Sequence, residues 1–469
     1  MGYLRRRRFF SGIVAFLFAV TLCFLAQGET ARAQGLSLIR DAEIENVIRD
    51  ISAPLFQEAG FSRDSIRIII VQSNELNAFV AGGHNIFLHT GLLLRAENAG
   101  ELAGVIAHEL SHIASGHLAR GHAAMEGISF QAMLAAVLGI AAAVGSGNAE
   151  AGAAIMTGGQ AAALASFLKY NRTQEASADH GAMSYLNGAG LSARGLLSFM
   201  EKLEGEELLP SSQQSEYVRT HPLTVDRINF LRHAVGQSRY SDRPFPAVWN
   251  KDFPRVQAKL MGFLYPERAL NLREGITHPI AARYAKAIAL FRKGKLTEAV
   301  SMMDDLIEEE PENGYFHELK GDILFEAGNA LHAAKSYQKA VELQPDSGLI
   351  KIDYAHVLTG IARARQSRDG KAPADVLDKA IGLLQQAKED ENLNPSLYRF
   401  LAVAYGMKGE DGYARLNLAE EAVLRNDLDV AERQISYAEA NLPEKAAQAR
   451  LRVADLKEVV AQRRAEMKK

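Results

Sequence analysis

Two kinds of hydrophobic pattern divide the chain. Ser65-Ile66-Arg67-Ile68-Ile69-Ile70-Val71-Gln72 is a β-branched run that reads as a buried strand. Shorter strand signals from Asn77 to Val80 and from Asn85 to His89 flank Ala81-Gly82-Gly83-His84, a turn sequence, so the three runs predict a small sheet. Ahead of them, Leu36 to Ile51 carries the spacing of an amphipathic helix. After Gly91 the pattern turns helical and stays alanine-rich to about residue 205. This is the signature of a mainly α domain with a small sheet, not of an alternating βαβ fold.

Within that stretch, Phe130 to Val144 is apolar, Gly145-Ser146-Gly147-Asn148 interrupts it, and Ala151 to Leu168 is rich in Ala and Gly. Each arm falls short of the roughly 20 residues a membrane span needs. A helical hairpin buried in the domain or lying over a cleft is the plain reading; peripheral contact with a membrane surface is the alternative, since an uncharged apolar face is costly to leave in water.

Beyond about residue 275 an internal period appears. Gly294 and Gly328, Ala299 and Ala333, and Pro311 and Pro345 are each 34 residues apart, the tetratricopeptide period. Small residues at these positions let the two helices of a repeat approach closely, and Pro ends the second helix. Gly321, Tyr337 and Ala340 complete the clearest copy. Later copies are looser: Arg363 to Lys371 reads as an insertion, Pro395, Ala402, Tyr405 and Gly409 resume the pattern, and Asn426, Ala431, Ala438 and Pro443 repeat its second half. Glu444 to Lys469 reads as a charged helix capping the solenoid. The expected division is a leader over 1–33, a catalytic domain over 34–250, a linker over 251–275 and a repeat domain over 276–469.

Composition agrees and adds limits. A chain of 469 residues exceeds the size of most single cores, and 48% hydrophobic with 23% charged residues is globular, not disordered. A formal charge of -3 without long basic blocks after the N-terminus speaks against nucleic-acid binding by phosphate neutralisation. Arg5 to Arg8, the apolar run Phe9 to Ala26 and Ala31-Arg32-Ala33 together read as a secretory signal with a small-x-small cleavage site; an uncleaved anchor is the alternative. Cleavage after Ala33 would leave 48 basic and 55 acidic residues, a net of -7, and would remove Cys23, the one cysteine. Any metal must then be held by His, Asp or Glu.

The chemistry concentrates at His108-Glu109-Leu110-Ser111-His112. It lies in a run of good helix formers from Glu101. At about 100° per residue, His108 and His112 fall on one face and can share a Zn²⁺ ion, while Glu109 stands beside it, placed to polarise water. His117 and His122 leave that face or that level of the helix and read as structural or surface groups. A catalytic zinc needs a third protein ligand. Glu175 and Asp179, i,i+4 neighbours 63 and 67 residues beyond His112, supply a candidate ligand and a carboxylate to support a ligating imidazole; a solvated acidic face is the bland alternative. Pro222 keeps His221 out of helix and suits position N1 of the helix that follows, so His221 is expected in a loop.

The zinc helix, followed by Glu175 in an E-x-x-x-D setting, resembles the HtpX and CAAX-prenyl-protease type of zinc peptidase. With a signal sequence in front and repeats behind, the whole chain resembles the BepA-like periplasmic members of that group. Asn77-Ala78-Phe79, Gly91-Leu92-Leu93 and Thr220-His221-Pro222 extend the likeness. Ser177, where many relatives have a second Glu, and a turn at Ala81-Gly82-Gly83 without the frequent proline depart from it; neither removes a ligand. The resemblance implies a zincin-like α+β metallopeptidase domain of the gluzincin type followed by an α-helical tetratricopeptide solenoid, with one Zn²⁺ per chain on His108, His112 and Glu175. It implies Glu109 as general base, Asp179 in support, and His221 near the zinc as either an oxyanion donor or a resting-state ligand. Arg227 is assigned to hold the cleft or the substrate. Asn85 to His89 is expected to offer a strand edge to an extended substrate, and the repeats to hold substrate or a partner across their concave face. The implied role is quality control of outer-membrane proteins in the periplasm, by proteolysis or chiefly as an assembly chaperone or scaffold.

Overall fold

The computed structural model describes residues 38–117, 172–272 and 278–467, apart from 64 and 211. The expected leader and the apolar arms between 130 and 168 lie outside these residues. Among the described residues no helix is long and apolar enough to cross a membrane.

The β-branched run forms β2 (Arg67–Val71), and the two shorter signals form β3 (Ala78–Ala81) and β4 (Asn85–His89). Gly82 and Gly83, both at positive φ, turn β3 into β4. A further short strand, β1 (Leu38–Ile39), occupies residues expected to begin a helix; the helix α1 starts only at Ala42, where Asp41 caps it by accepting from the Ile44 N–H. The order in the sheet is β1-β2-β4-β3, with β2 and β4 parallel and the other pairs antiparallel. This corrects the expected strand edge: β4 is hydrogen-bonded on both sides, so residues 85–89 are interior, and β3 is the edge on that side.

From β4 the chain passes through α2 (Thr90–Arg95) into α3 (Ala99–Ala114). Asn98 caps α3 through the Glu101 N–H, while the Glu101 carboxylate accepts from the Glu97 N–H, a reciprocal box that fixes where the helix begins. Every residue of α3 from Ala99 to His112 is buried. It packs on α4 (Arg172–Gly188) and α5 (Arg194–Lys202). Small residues set the spacing: a Cβ on Gly104 would lie 2.6 Å from the Leu196 Cα, and one on Gly181 would strike the Ser111 hydroxyl. The short α6 (Glu216–Thr220) ends at His221, and α7 (Val225–Gln237) follows. Pro222, expected as its first residue, lies before it; Thr224 caps the helix two positions later through the Arg227 N–H.

Residues 251–275, expected as a linker, are mostly helix. α8 (Ala247–Leu264) puts Trp249, Phe253, Val256 and Leu260 into the core under the sheet, and Ala258 into the first core of the repeats. α9 (Pro266–Leu270) continues it. The repeats then stack as helix pairs: α10 (Pro279–Arg292) with α11 (Leu296–Glu309), α12 (Gly314–Glu326) with α13 (Ala330–Leu343), α14 (Gly348–Asp369) with α15 (Ala374–Glu391), α16 (Pro395–Lys408) with α17 (Asp411–Leu424), and α18 (Leu428–Asn441) with the terminal α19 (Ala447–Met467). Gly321 is small because the Tyr337 ring packs 2.6 Å from where its Cβ would be. The insertion lengthens α14 to 22 residues against 13 in α12.

The repeats hold the half that carries the sheet. Asn46 donates to the Tyr315 hydroxyl at 3.1 Å, and Arg40 makes a forked pair with Glu391 at 2.7 and 2.8 Å. Between them Glu43, fully buried, accepts from Arg255 at 3.0 Å and from the Tyr284 hydroxyl at 2.8 Å, and Lys259 lies 2.8 Å from Asp41. The face of α12 that bears Tyr315 and Glu318 is therefore taken up by α1 and α8.

Candidate metal centre

Helical spacing brings the Nε2 atoms of His108 and His112 to 3.2 Å from each other. Two lone pairs that close repel unless a cation or a proton sits between them. From α4, Glu175 faces both: Oε2 is 3.3 Å from His108 Nε2 and Oε1 is 3.4 Å from His112 Nε2. His221 completes the group, with Nδ1 3.1 Å from Glu175 Oε1 and Nε2 3.2 Å from the Ala78 carbonyl of the edge strand. One donor atom from each of the four lies within 4.8 Å of the others, and all four side chains are buried. Glu109 points at the same space: it is fully buried, both oxygens lack a hydrogen-bond partner, and His221 Nε2 is 3.5 Å from Oε1. A buried carboxylate left so is costly unless something else meets it. Nitrogen and carboxylate donors converging beside an unpaired carboxylate fit a zinc-type ion and the water it activates.

A second layer fixes these ligands. Asp179 Oδ1 lies 3.0 Å from His108 Nδ1. Arg227 forks onto Asp179 at 2.6 and 2.9 Å, reaches Glu175 Oε2 at 2.8 Å and donates to the Pro222 carbonyl at 2.8 Å. The guanidinium is buried and saturated by the centre itself. Arg227 thereby ties α7 to α4 and to the loop of His221. The Tyr217 ring stacks on His221 at 4.6 Å, which holds that imidazole from its other side.

The electrostatics follow from burial. Burial opposes a charge on His108, but Asp179 and Glu175 outweigh it and push its pKa up to about 9. Burial takes His112 down to about 3, against the pull of Glu175. Burial also opposes ionisation of Glu175, yet His221, His108 and His112 hold it well below the usual carboxylate range. For Glu109 burial wins over His221 and His108, and its pKa is raised. The acid next to the two histidines is thus tuned toward taking protons.

His117, expected to point away from the metal face, lies against His112. The helix stops first: Ser115 ends α3, Gly116 turns at φ 61, and the His117 ring returns to His112 with Nδ1 atoms 3.0 Å apart. Extending helical geometry past residue 114 placed it on the wrong side; the Ser-Gly pair was the sequence signal. His122 lies outside the described residues.

Comparison with known proteins agrees with this chemistry. Residues 39–235 match Peptidase family M48, and residues 284–348 match a tetratricopeptide repeat. The chain is 26% identical over 416 residues to the beta-barrel assembly-enhancing protease of Yersinia pestis, covering 86% of this chain and 81% of that protein. It is 27% identical over 320 residues to the protein of the same name from Escherichia coli (strain K12), covering 66% of this chain and 63% of that one. Metalloprotease YcaL of Escherichia coli (strain K12) is 25% identical over 171 residues, 36% of this chain and 62% of its own.

Proposed function

We propose that this chain, which is similar to Peptidase family M48 over residues 39–235 and to a tetratricopeptide repeat over residues 284–348, is a zinc-dependent endopeptidase of the bacterial periplasm that cuts misfolded or misassembled outer-membrane proteins. The observation that carries the reaction is the unpartnered, buried Glu109 carboxylate beside the converging His108, His112 and Glu175. The substrate class rests on the printed name of the Yersinia pestis and Escherichia coli relatives, a beta-barrel assembly-enhancing protease.

His108, His112 and Glu175 would hold the zinc, which when bound supplies a Lewis acid that polarises a carbonyl and makes water acidic. Glu109 takes the proton of the attacking water on its carboxylate and returns it to the leaving amine; its raised pKa suits both halves of that transfer. The edge of β3 pairs with an extended substrate backbone, giving affinity with little side-chain selectivity. Asp179 and Arg227 keep His108 and Glu175 oriented throughout.

His221 stands in the ligand group and donates to Ala78 on that same edge, which supports the reading of a resting-state plug. Productive binding moves it aside. On this reading His221→Ala cleaves casein faster than wild type; an oxyanion donor predicts loss instead, and an unchanged rate sinks both. The rival function, an assembly chaperone with secondary proteolysis, draws on the same closed site, in which every ligand is buried. Expressing Glu109→Gln in a strain lacking the gene separates the two: persistence of the null phenotypes supports the peptidase, and full restoration rejects it as the main function.

A further inference from the structure

The end of the zinc helix carries an arrangement that the reaction does not account for. With Ser115 as the cap residue, the Gly116 N–H bonds to the Ile113 carbonyl at 3.0 Å and the His117 N–H to the His112 carbonyl at 3.1 Å. This is the double-bonded Schellman ending, which brings the side chain two places past the cap onto the side chain three places before it. A hydrophobic pair usually fills those two positions. Here both are histidine, the rings are 5.0 Å apart at 69°, and Nδ1 faces Nδ1 at 3.0 Å.

Chemistry fixes which nitrogen donates. His112 points Nε2 at His108 Nε2 and at Glu175, so its Nε2 lone pair is the one available to a metal and its proton belongs on Nδ1. At 3.0 Å, the His117 Nδ1 must then be the acceptor. We propose that His117 is a positioning residue of the metal centre, accepting the Nδ1–H of His112 and so holding it in the tautomer and rotamer that bind metal. His108 has an anionic partner in the same position, Asp179, whereas His112 has a neutral imidazole supplied by the helix ending itself. A ligating histidine whose outer nitrogen loses its partner commonly costs 10–100-fold in metal affinity. Gly116 belongs to the same device, because its φ of 61 is what returns His117 to the helix.

The inference rests on His112 being a zinc ligand, and the test keeps the two apart. The full chain is titrated with zinc against a competing chelator as wild type, His117→Phe, His117→Asn and His108→Ala, with Co²⁺ absorption spectra of each as a second readout. Phenylalanine keeps the ring and its packing but removes the acceptor; asparagine offers an acceptor oxygen with less bulk. The expected result is a 10–100-fold weaker zinc complex and an altered Co²⁺ spectrum for His117→Phe, with most of both recovered in His117→Asn. Wild-type affinity in His117→Phe, or equal losses in both variants, overturns the proposal. Wild-type affinity in His108→Ala overturns the metal reading beneath it.

Discussion

The molecule buries charge in two places, and it does so in opposite ways. Where α1 and α8 meet the repeats, Glu43, Arg255, Lys259 and Asp41 are matched to one another, with the Tyr284 hydroxyl on Glu43. Only Arg255 Nη1 and Glu318 Oε2 lack a hydrogen bond there. At the metal centre, both oxygens of Glu109 are left without one, and four donors converge on a common point. Buried charges that satisfy each other hold two halves together; buried charges that do not are waiting for a guest. The contrast separates a strut from a site without reference to any relative.

The largest effect that can break this comparison is on turnover. Glu109→Gln lowers casein cleavage by roughly 10²–10⁴-fold, the range for a lost general base, with no loss of thermal stability, because it removes an unpaired buried acid. A matching fall in melting temperature would mean that Glu109 is structural. Glu43→Ala reverses the pattern: it takes from Arg255 its 3.0 Å partner and from the Tyr284 hydroxyl its acceptor, leaves Asp252 on Arg255 and Asp41 on Lys259, and destabilises by about 1–3 kcal/mol in urea titration. Stability within 1 kcal/mol of wild type would show the junction to be an incidental contact.

A smaller effect is expected at the strut inside the site. Arg227→Lys keeps the charge but loses the fork onto Asp179, and weakens zinc binding about 10–100-fold in chelator competition. Undiminished affinity with a raised KM would return Arg227 to substrate binding.

The smallest concerns Glu216, an acid buried outside both clusters. Burial raises its pKa to about 7, against Arg219 and a hydrogen bond from Asn77, while Glu75 adds to the rise. Nearby His89, 3.6 Å away and taken down to about 4 by burial, stays neutral. An acid whose pKa is higher folded than unfolded contributes fully below its ordinary value of 4.5 and loses that contribution as pH rises through about 7. Glu216→Gln should therefore flatten the fall in stability between those limits, by about 1–3 kcal/mol in urea melts. An unchanged slope would show that Glu216 ionises freely.

How much of this the sequence discloses depends on the range of the forces involved. The helix of His108 and His112 was legible because these residues are one turn apart and nothing interrupts the run from Glu101. The repeats were legible because one spacing returns the same small residues to the same helix contacts, as Gly321 against Tyr337 shows. Strand order was not, since the parallel pairing of β2 with β4 is decided by packing across the sheet and leaves no local mark. Nor was the helical character of residues 251–264: Arg255 and Lys259 are buried against Glu43 and Asp41, more than 200 positions earlier, a contact that leaves no local mark. At the site, Glu175 and Asp179 announced themselves by i,i+4 spacing, but the job of Arg227 depended on a helix 48 residues away. His117 was missed because a helical wheel assumes a helix, and this one ends at Ala114.

The central claim is that the buried, unpartnered carboxylate of Glu109 works on water beside a metal held by His108, His112 and Glu175. Zinc per chain and casein cleavage, measured together on purified Glu109→Gln and wild type, test it most directly. The account predicts one zinc in each and cleavage only in wild type; equal cleavage by the two zinc-loaded proteins would contradict it.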